Sequence, residues 1–193
     1  MREISYREMS YREISYAVRG YLTVRRSSLR VPLAGSLALR VDTAGAMLTG
    51  DLQLAESVIS RTAFGARLLR ATVQITPRSR VVGGFGSDGE LFAALTVDAA
   101  ITSVQLAGRP LLRGCACRTA SQAVVPLRSG PGFDLDRGGR LAGSYRRPPF
   151  TGCGAVTPVI NLLAAGAGNT AVVNLIPVAV PRDATPTAAR RSR

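Results

Sequence analysis

The chain has 193 residues, of which 46% are apolar but only 5% aromatic, so Val, Leu, Ile and Ala must build the core, a composition that favours strands. All 25 basic residues are arginine and the net charge is +13; a bias this complete indicates GC-rich coding, which makes the charge weak evidence for a nucleic-acid partner. The absence of histidine excludes Ser-His-Asp and Cys-His catalysis and paired-histidine zinc sites. No apolar run reaches the roughly 18 residues of a membrane-spanning helix.

Residues 2–16 consist of three copies of a five-residue unit that differ only at Ile4, Met9 and Ile14. A period of five matches neither a helix nor a strand. We therefore expect residues 1–30 to be a low-complexity, poorly ordered segment that precedes the folded domain. The alternative is an adhesive Tyr/Arg arm for nucleic acid or an anionic surface, although arginine beside glutamate in each unit largely cancels its charge.

An export signal is a second alternative for the same region. The basic stretch at residues 25–30 precedes an apolar stretch at 31–39, and small residues at 43–46 offer a cleavage site. However, the apolar stretch also alternates as a strand does. We therefore predict a strand there.

From residue 31 to residue 177, short alternating apolar runs are separated by Gly, Pro, Asp and Ser, which is typical of an antiparallel sandwich or barrel. Turn residues at 42–45 and 87–89 predict hairpins, because Asp and Gly tolerate a positive φ. We predict strands near residues 33–41, 47–54, 67–76, 80–85, 90–98, 101–107, 122–128, 140–146 and 170–177. The fold class is therefore all-β, an antiparallel β-sandwich or barrel with one short helix.

The helix is predicted at about residues 157–165. Thr157 can cap it, Pro158 suits its first position, and Gly166 can end it. We expect its apolar face to plug one end of the β domain; that face comprises Val159, Ile160, Leu162 and Leu163. Residues 178–193, rich in Pro, Ala, Thr and Arg, are expected to form a disordered basic tail.

Three short motifs invite a functional interpretation and are better explained structurally. Residues 84–89 match the dinucleotide-binding pattern G-x-G-x-x-G, but the acidic residue about 20 positions later and the parallel βαβ unit are both missing, so we predict a hairpin. Asp134 and Asp136 could act as glycosidase carboxylates or Ca²⁺ ligands, yet a solvated turn is favoured. The Arg146-Arg147 pair could contact phosphate, although an exposed edge position is the default expectation.

Several segments of the chain resemble a family of small secreted actinobacterial proteins without an assigned activity. The most specific of them are Cys117-Arg118-Thr119 and residues 149–154 and 166–170. The resemblance extends over residues 33–39, 49–54, 64–77, 117–133, 138–154 and 157–177. It implies an all-β domain at residues 31–177 and export to the cell envelope or beyond.

In an exported chain, Cys117 is expected to pair with Cys153. The alternative is a bond between Cys115 and Cys153, and either pairing leaves one thiol free. Three cysteines without histidine make a poor zinc site, and the single residue between Cys115 and Cys117 does not match a redox pair. We expect no metal, no cofactor and no catalytic residues.

These observations favour a non-enzymatic, extracellular or cell-envelope binding module whose partner is an apolar small molecule or a protein. A nucleic-acid partner and a membrane span are not expected. The alternatives are an Arg-rich nucleic-acid-binding protein, a hydrolase that uses only Asp134 and Asp136, and a mis-started or rarely expressed reading frame with no distinct function.

Overall fold

Antiparallel strands make up most of the chain. The computed structural model describes residues 11–42, 47–63, 66–113 and 116–178, apart from the side chains of residues 62, 63, 66–68 and 113. The elements are, in chain order, β1 (Tyr11–Val24), β2 (Leu29–Asp42), β3 (Met47–Leu54), β4 (Ser57–Ala63), β5 (Ala66–Pro77), β6 (Val81–Phe85), β7 (Leu91–Leu106), β8 (Arg109–Arg113), β9 (Arg118–Thr119), β10 (Ala123–Arg128), β11 (Gly139–Arg147), β12 (Phe150–Thr151), a 3₁₀ turn (Gly154–Val156), α1 (Thr157–Ala164) and β13 (Gly166–Pro177).

Eight of these strands close into a barrel. Their order is β10-β11-β13-β1-β2-β3-β6-β7, and the circle closes because β10 pairs with β7 as well as with β11. The all-β prediction is therefore confirmed, and of its two architectures the structure adopts the barrel.

A strict alternation of side chains fills the barrel. Along β7, every second residue from Leu91 to Ile101 is buried, and β2 shows the same pattern from Val31 to Val41 with Gly35 as the exception. Successive side chains of a strand point to opposite faces, so one aliphatic set from each strand faces the interior. The core is accordingly the inside of the barrel.

Strand β1 corrects the predicted domain boundary. It lies between β13 and β2, with Leu22 opposite both Ala171 and Val31, and it buries Tyr16 and Val18. The expectation that residues 1–30 precede the folded domain is therefore wrong for residues 11–30. The repeat concealed the strand, because its third copy ends at Tyr16, the first fully buried residue of β1. Residues 1–10, and residues 179–193 of the predicted tail, lie outside the described residues.

The sheet extends beyond the barrel at one end. Strand β7 is longer than its barrel partners, and its second half pairs with β5 on one side, from Val97 to Leu106, and with β8 on the other. Strand β4 covers the outer edge of β5. The strands predicted at 90–98 and 101–107 are thus one strand, whereas β1, β4 and β8 were not predicted.

The helix lies at the same end of the barrel, which we call the helix end, and it corrects a second expectation. Its bounds nearly match the prediction, with Val156 rather than Thr157 at the N-cap position. Of the predicted plugging face, only Ile160 packs against the core, whereas Val159, Leu162 and Leu163 are exposed. Phe150, which precedes the helix in the chain, is instead buried in the core and only 2% exposed. Within the described residues, no helix is long and apolar enough to cross a membrane.

Glycines allow neighbouring barrel strands to approach closely. A Cβ atom on Gly20 of β1 would lie 2.0 Å from the carbonyl oxygen of Val172, and one on Gly143 of β11 would lie 1.8 Å from that of Pro126. No side chain fits at such a distance, so the backbone would have to move. Glycine at these positions permits the strand curvature that closure of the barrel requires.

Replacing Gly20 with alanine should therefore destabilise the fold by about 2 kcal/mol or more, because the added methyl group displaces β13. Gly130→Ala is the control, since its Cβ would meet nothing within 4 Å. Urea unfolding of both variants measures the difference. Equal stability of the two variants would mean that β1 is not a barrel strand.

Candidate functional site

The barrel encloses a cavity of about 80 Å³. All twenty residues that line it are apolar, and they come from the inner faces of the barrel strands and from β5. They are Val18, Leu22, Leu33, Leu37, Leu39, Leu48, Leu52, Leu54, Ile75, Val81, Leu91, Ala93, Leu95, Val97, Val125, Leu127, Leu141, Ala171, Val173 and Leu175.

The chemistry of this lining decides what it can hold. Water inside a protein needs two to four polar partners, and the cavity wall offers no polar side chain. Apolar cavities in proteins stay dry and accept small apolar molecules, as an engineered cavity of about 150 Å³ does for benzene. The interior is therefore suited to a small hydrocarbon group.

The end of the barrel opposite the helix, which we call the loop end, is closed by the segment between β10 and β11. Phe133 and Leu135 pack against the core there, and the hydroxyl of Tyr16 donates a hydrogen bond of 2.6 Å to the carbonyl oxygen of Leu135. Desolvation raises the pKa of Tyr16 to about 12; the positive charge of Arg12 opposes this shift, and Asp136 and Asp134 add to it. In its neutral form, Tyr16 thus holds the closing segment in place.

The helix end is closed by a disulfide and a short connection. Cys117 and Cys153 are bonded, with Cα atoms 4.3 Å apart, and both are buried. This is the expected pair, and Cys115 lies outside the described residues. Asn161 of α1 holds the adjacent segment, because its side-chain amide accepts a hydrogen bond from the Phe150 amide and donates one to the Phe150 carbonyl, at 2.6 and 2.9 Å.

Polar side chains are also buried at the helix end, among them Asn169 and Arg147. Asn169 is satisfied, because it accepts from the Arg25 amide and donates to the Gly166 carbonyl. Arg147 is 7% exposed and donates a 2.7 Å hydrogen bond to the hydroxyl of Tyr145. The guanidinium also lies 5.8 Å from the centre of the Tyr145 ring.

The position of Arg147 contradicts its predicted exposure. Arg146 is exposed as expected, but β11 is an internal member of the closed barrel, so one of two successive side chains must point inward. The alternation along β11 places Arg147 on the same face of the strand as Leu141 and Tyr145. The expectation that Arg146 and Arg147 lie at an exposed sheet edge is wrong for Arg147, because closure of the barrel leaves β11 without a free edge.

The other motifs have structural roles. Residues 84–89 run from β6 through a tight turn, in which the Gly86 amide donates to the Glu90 carbonyl, and this confirms the hairpin. Asp134 accepts hydrogen bonds from the amides of Asp136 and Arg137, which makes it the first residue of a solvated turn. Asp136 forms an ion pair with Arg12.

Among the described residues, no three Cys, Asp or Glu side chains are grouped as metal ligands would be.

Fold and interior together define a closed, eight-stranded antiparallel β-barrel with an apolar cavity. Comparisons with protein-family models, with curated proteins and with solved structures find no match to this chain.

The raised pKa of Tyr16 predicts a loss of stability in alkali. The folded-state pKa of about 12 exceeds the ordinary value of 10.0, so the contribution of Tyr16 is complete below pH 10.0 and is lost as the pH rises toward 12. Over this range, the free energy of unfolding should fall by about 2 kcal/mol more in the wild type than in Tyr16→Phe. Urea unfolding at several pH values tests this, and parallel pH profiles would contradict it.

The disulfide predicts matched effects of its two cysteines. Cys117→Ser and Cys153→Ser should each lower the free energy of unfolding by about 2–4 kcal/mol, because each removes the same constraint on the unfolded chain. Cys115→Ser is the control and should have little effect, since that residue is not part of the bridge. Thermal melting, together with mass spectrometry of a non-reduced digest, gives the answer. Equal destabilisation by all three replacements would contradict the pairing.

Proposed function

We propose that this protein is a non-catalytic binding module that holds a small apolar ligand inside its barrel. The observation that carries the proposal is the cavity, which is enclosed by eight strands and lined only by aliphatic side chains. Eight-stranded barrels are wide enough either to be filled by their own side chains or to hold one small ligand. Here the side chains leave a void, which favours the second use.

The chemistry of the interior supports binding rather than catalysis. General acids, general bases and nucleophiles are polar or ionisable groups, and the side chains that line the cavity are only Val, Leu, Ile and Ala. Such a lining interacts with a ligand by exclusion of water and by shape. Contact of this kind retains a molecule without changing its bonds.

We also propose that the module works outside the cytoplasm, in the cell envelope or beyond. Disulfides form and persist in oxidising compartments. The bridge between Cys117 and Cys153 is fully enclosed, at 0% and 1% exposure, so a reductant could not reach it without unfolding of the helix end. An enclosed bridge of this kind suits a permanent structural role in a secreted chain.

The experiment is a titration with pentane, a neutral apolar probe, followed by the NMR shifts of methyl groups that line the cavity. Wild type should bind it. Ala93→Val should weaken binding by about tenfold or more, because the added methyl groups occupy the cavity. That variant should be as stable as the wild type or more stable by up to about 1 kcal/mol, since filling a void reverses the energetic cost of the cavity.

Ala94→Val is the matched control, because Ala94 neighbours Ala93 on the same strand but does not line the cavity. Its pentane affinity should equal that of the wild type. The proposed function would be refuted if the wild type did not bind pentane. It would also be refuted if the two variants weakened pentane binding equally.

A further inference from the structure

Arg147 is a buried cation without an anionic partner. Its side chain has one hydrogen bond, to Tyr145, and no carboxylate of the described residues pairs with it. Carboxylates pair instead with arginines elsewhere, namely Arg12, Arg40, Arg78, Arg80, Arg128 and Arg137. Burial of an unpaired charge is costly, and the guanidinium nitrogens that lack a protein partner reach solvent, since Ser27 Oγ is the only fully buried side-chain polar atom of the described residues without a hydrogen bond.

Two exposed arginines, Arg25 and Arg26, lie near the first residues of β13. Gly166 is the register partner of Arg147, and a Cβ atom on Gly166 would lie 3.5 Å from Nε of Arg26. A Cβ atom on Gly168 would lie 2.9 Å from Nη1 of Arg25. Neither Arg25 nor Arg26 is paired with a carboxylate of the described chain. The first residues of β13 are therefore close to the exposed guanidinium groups of Arg25 and Arg26, and Gly166 pairs with Arg147 across the ladder.

The same interior connects this charge to the cavity. On β11, Leu141 lines the cavity, and Tyr145 and Arg147 are the buried positions that follow toward the helix end. On the neighbouring strand, Ala171 lines the cavity and Asn169, opposite Tyr145, is the next inward residue. The inward faces of β11 and β13 thus run from the cavity wall to Arg147 at the helix end, although Tyr145, Arg147 and Asn169 are not themselves part of that wall.

We infer that the ligand is an amphipathic anion, with a short apolar chain in the cavity and an oxyanion, either a carboxylate or a phosphate, against Arg147. This inference rests on the proposed function and adds the charge of the head group. A guanidinium presents paired donors that match the two oxygens of a carboxylate or phosphate. The hydroxyl of Tyr145 accepts a hydrogen bond from Arg147 and can donate its own proton to the same oxyanion.

The test compares ligands of one chain length and different head groups by calorimetry: hexan-1-ol, hexanoate and hexyl phosphate. Wild type should bind at least one of the two anions about tenfold or more tightly than the alcohol, the size expected for a charged hydrogen bond. The anion that binds more tightly identifies the head group. Acetate, which has a head group but no chain, should bind more weakly than hexanoate or not at all.

Arg147→Met is the decisive variant, because it keeps an unbranched side chain of similar volume and removes the charge. A buried ion replaced by an apolar side chain of similar volume usually leaves a protein folded, and circular dichroism checks this. The variant should lose the preference for the anion and bind hexan-1-ol as the wild type does. Arg146→Met is the matched control, since it removes the same charge from an exposed neighbour and should keep the preference.

The outcomes separate the two proposals. Binding of hexan-1-ol without a preference for either anion, or a preference lowered equally by Arg146→Met and Arg147→Met, would overturn the anion site and leave the apolar binding function intact. If neither the alcohol nor the anions bind, both proposals fail.

Discussion

The pairing of β7 with β10 is the constraint on which the rest of the molecule depends. Without it, the eight strands would form an open sheet with two free edges and one exposed apolar face. With it, the aliphatic faces of all eight strands enclose one volume. Strand β7 accomplishes this because it is long enough to pair with β6 and β10 inside the barrel and with β5 and β8 beyond it. The extended sheet and the barrel wall are therefore one continuous structure.

Aliphatic composition explains why the enclosed volume is not completely filled. The chain contains 46% apolar residues but only 5% aromatic ones, and large rings are the side chains that best fill the axis of a wide barrel. Tyr16, Tyr145 and Phe150 stand near its two ends rather than at the centre. Val, Leu and Ala from opposite walls do not reach one another everywhere, and the cavity is the space that remains. The composition that leaves the barrel incompletely packed thus also leaves space for a ligand.

The sequence predicted the strands that alternate cleanly and missed those that do not. Strands β2, β3, β5 and β10 follow the alternation closely, because period two is a local property of the chain. Strand β1 was missed since its first half coincides with a five-residue repeat, and β4 and β8 lie in stretches with weak alternation. The choice between sandwich and barrel depends on contacts between distant strands, which no local pattern encodes. The alternation places Arg147 on the same face of β11 as Leu141 and Tyr145, but only the closure of the barrel makes that face an interior one.

The position of β1 has a consequence for how the chain is made. Its partner β13 is the last strand of the barrel, and Tyr16 faces Pro177 across the seam between them. During synthesis, β1 is the first of the described strands to be made, and it has only β2 beside it until β13 follows. One edge of the growing sheet therefore stays open until β13 has been made, and long-range pairings of this kind form slowly. The barrel can close only after that, so the last step of its assembly joins two strands that are separated by most of the described residues.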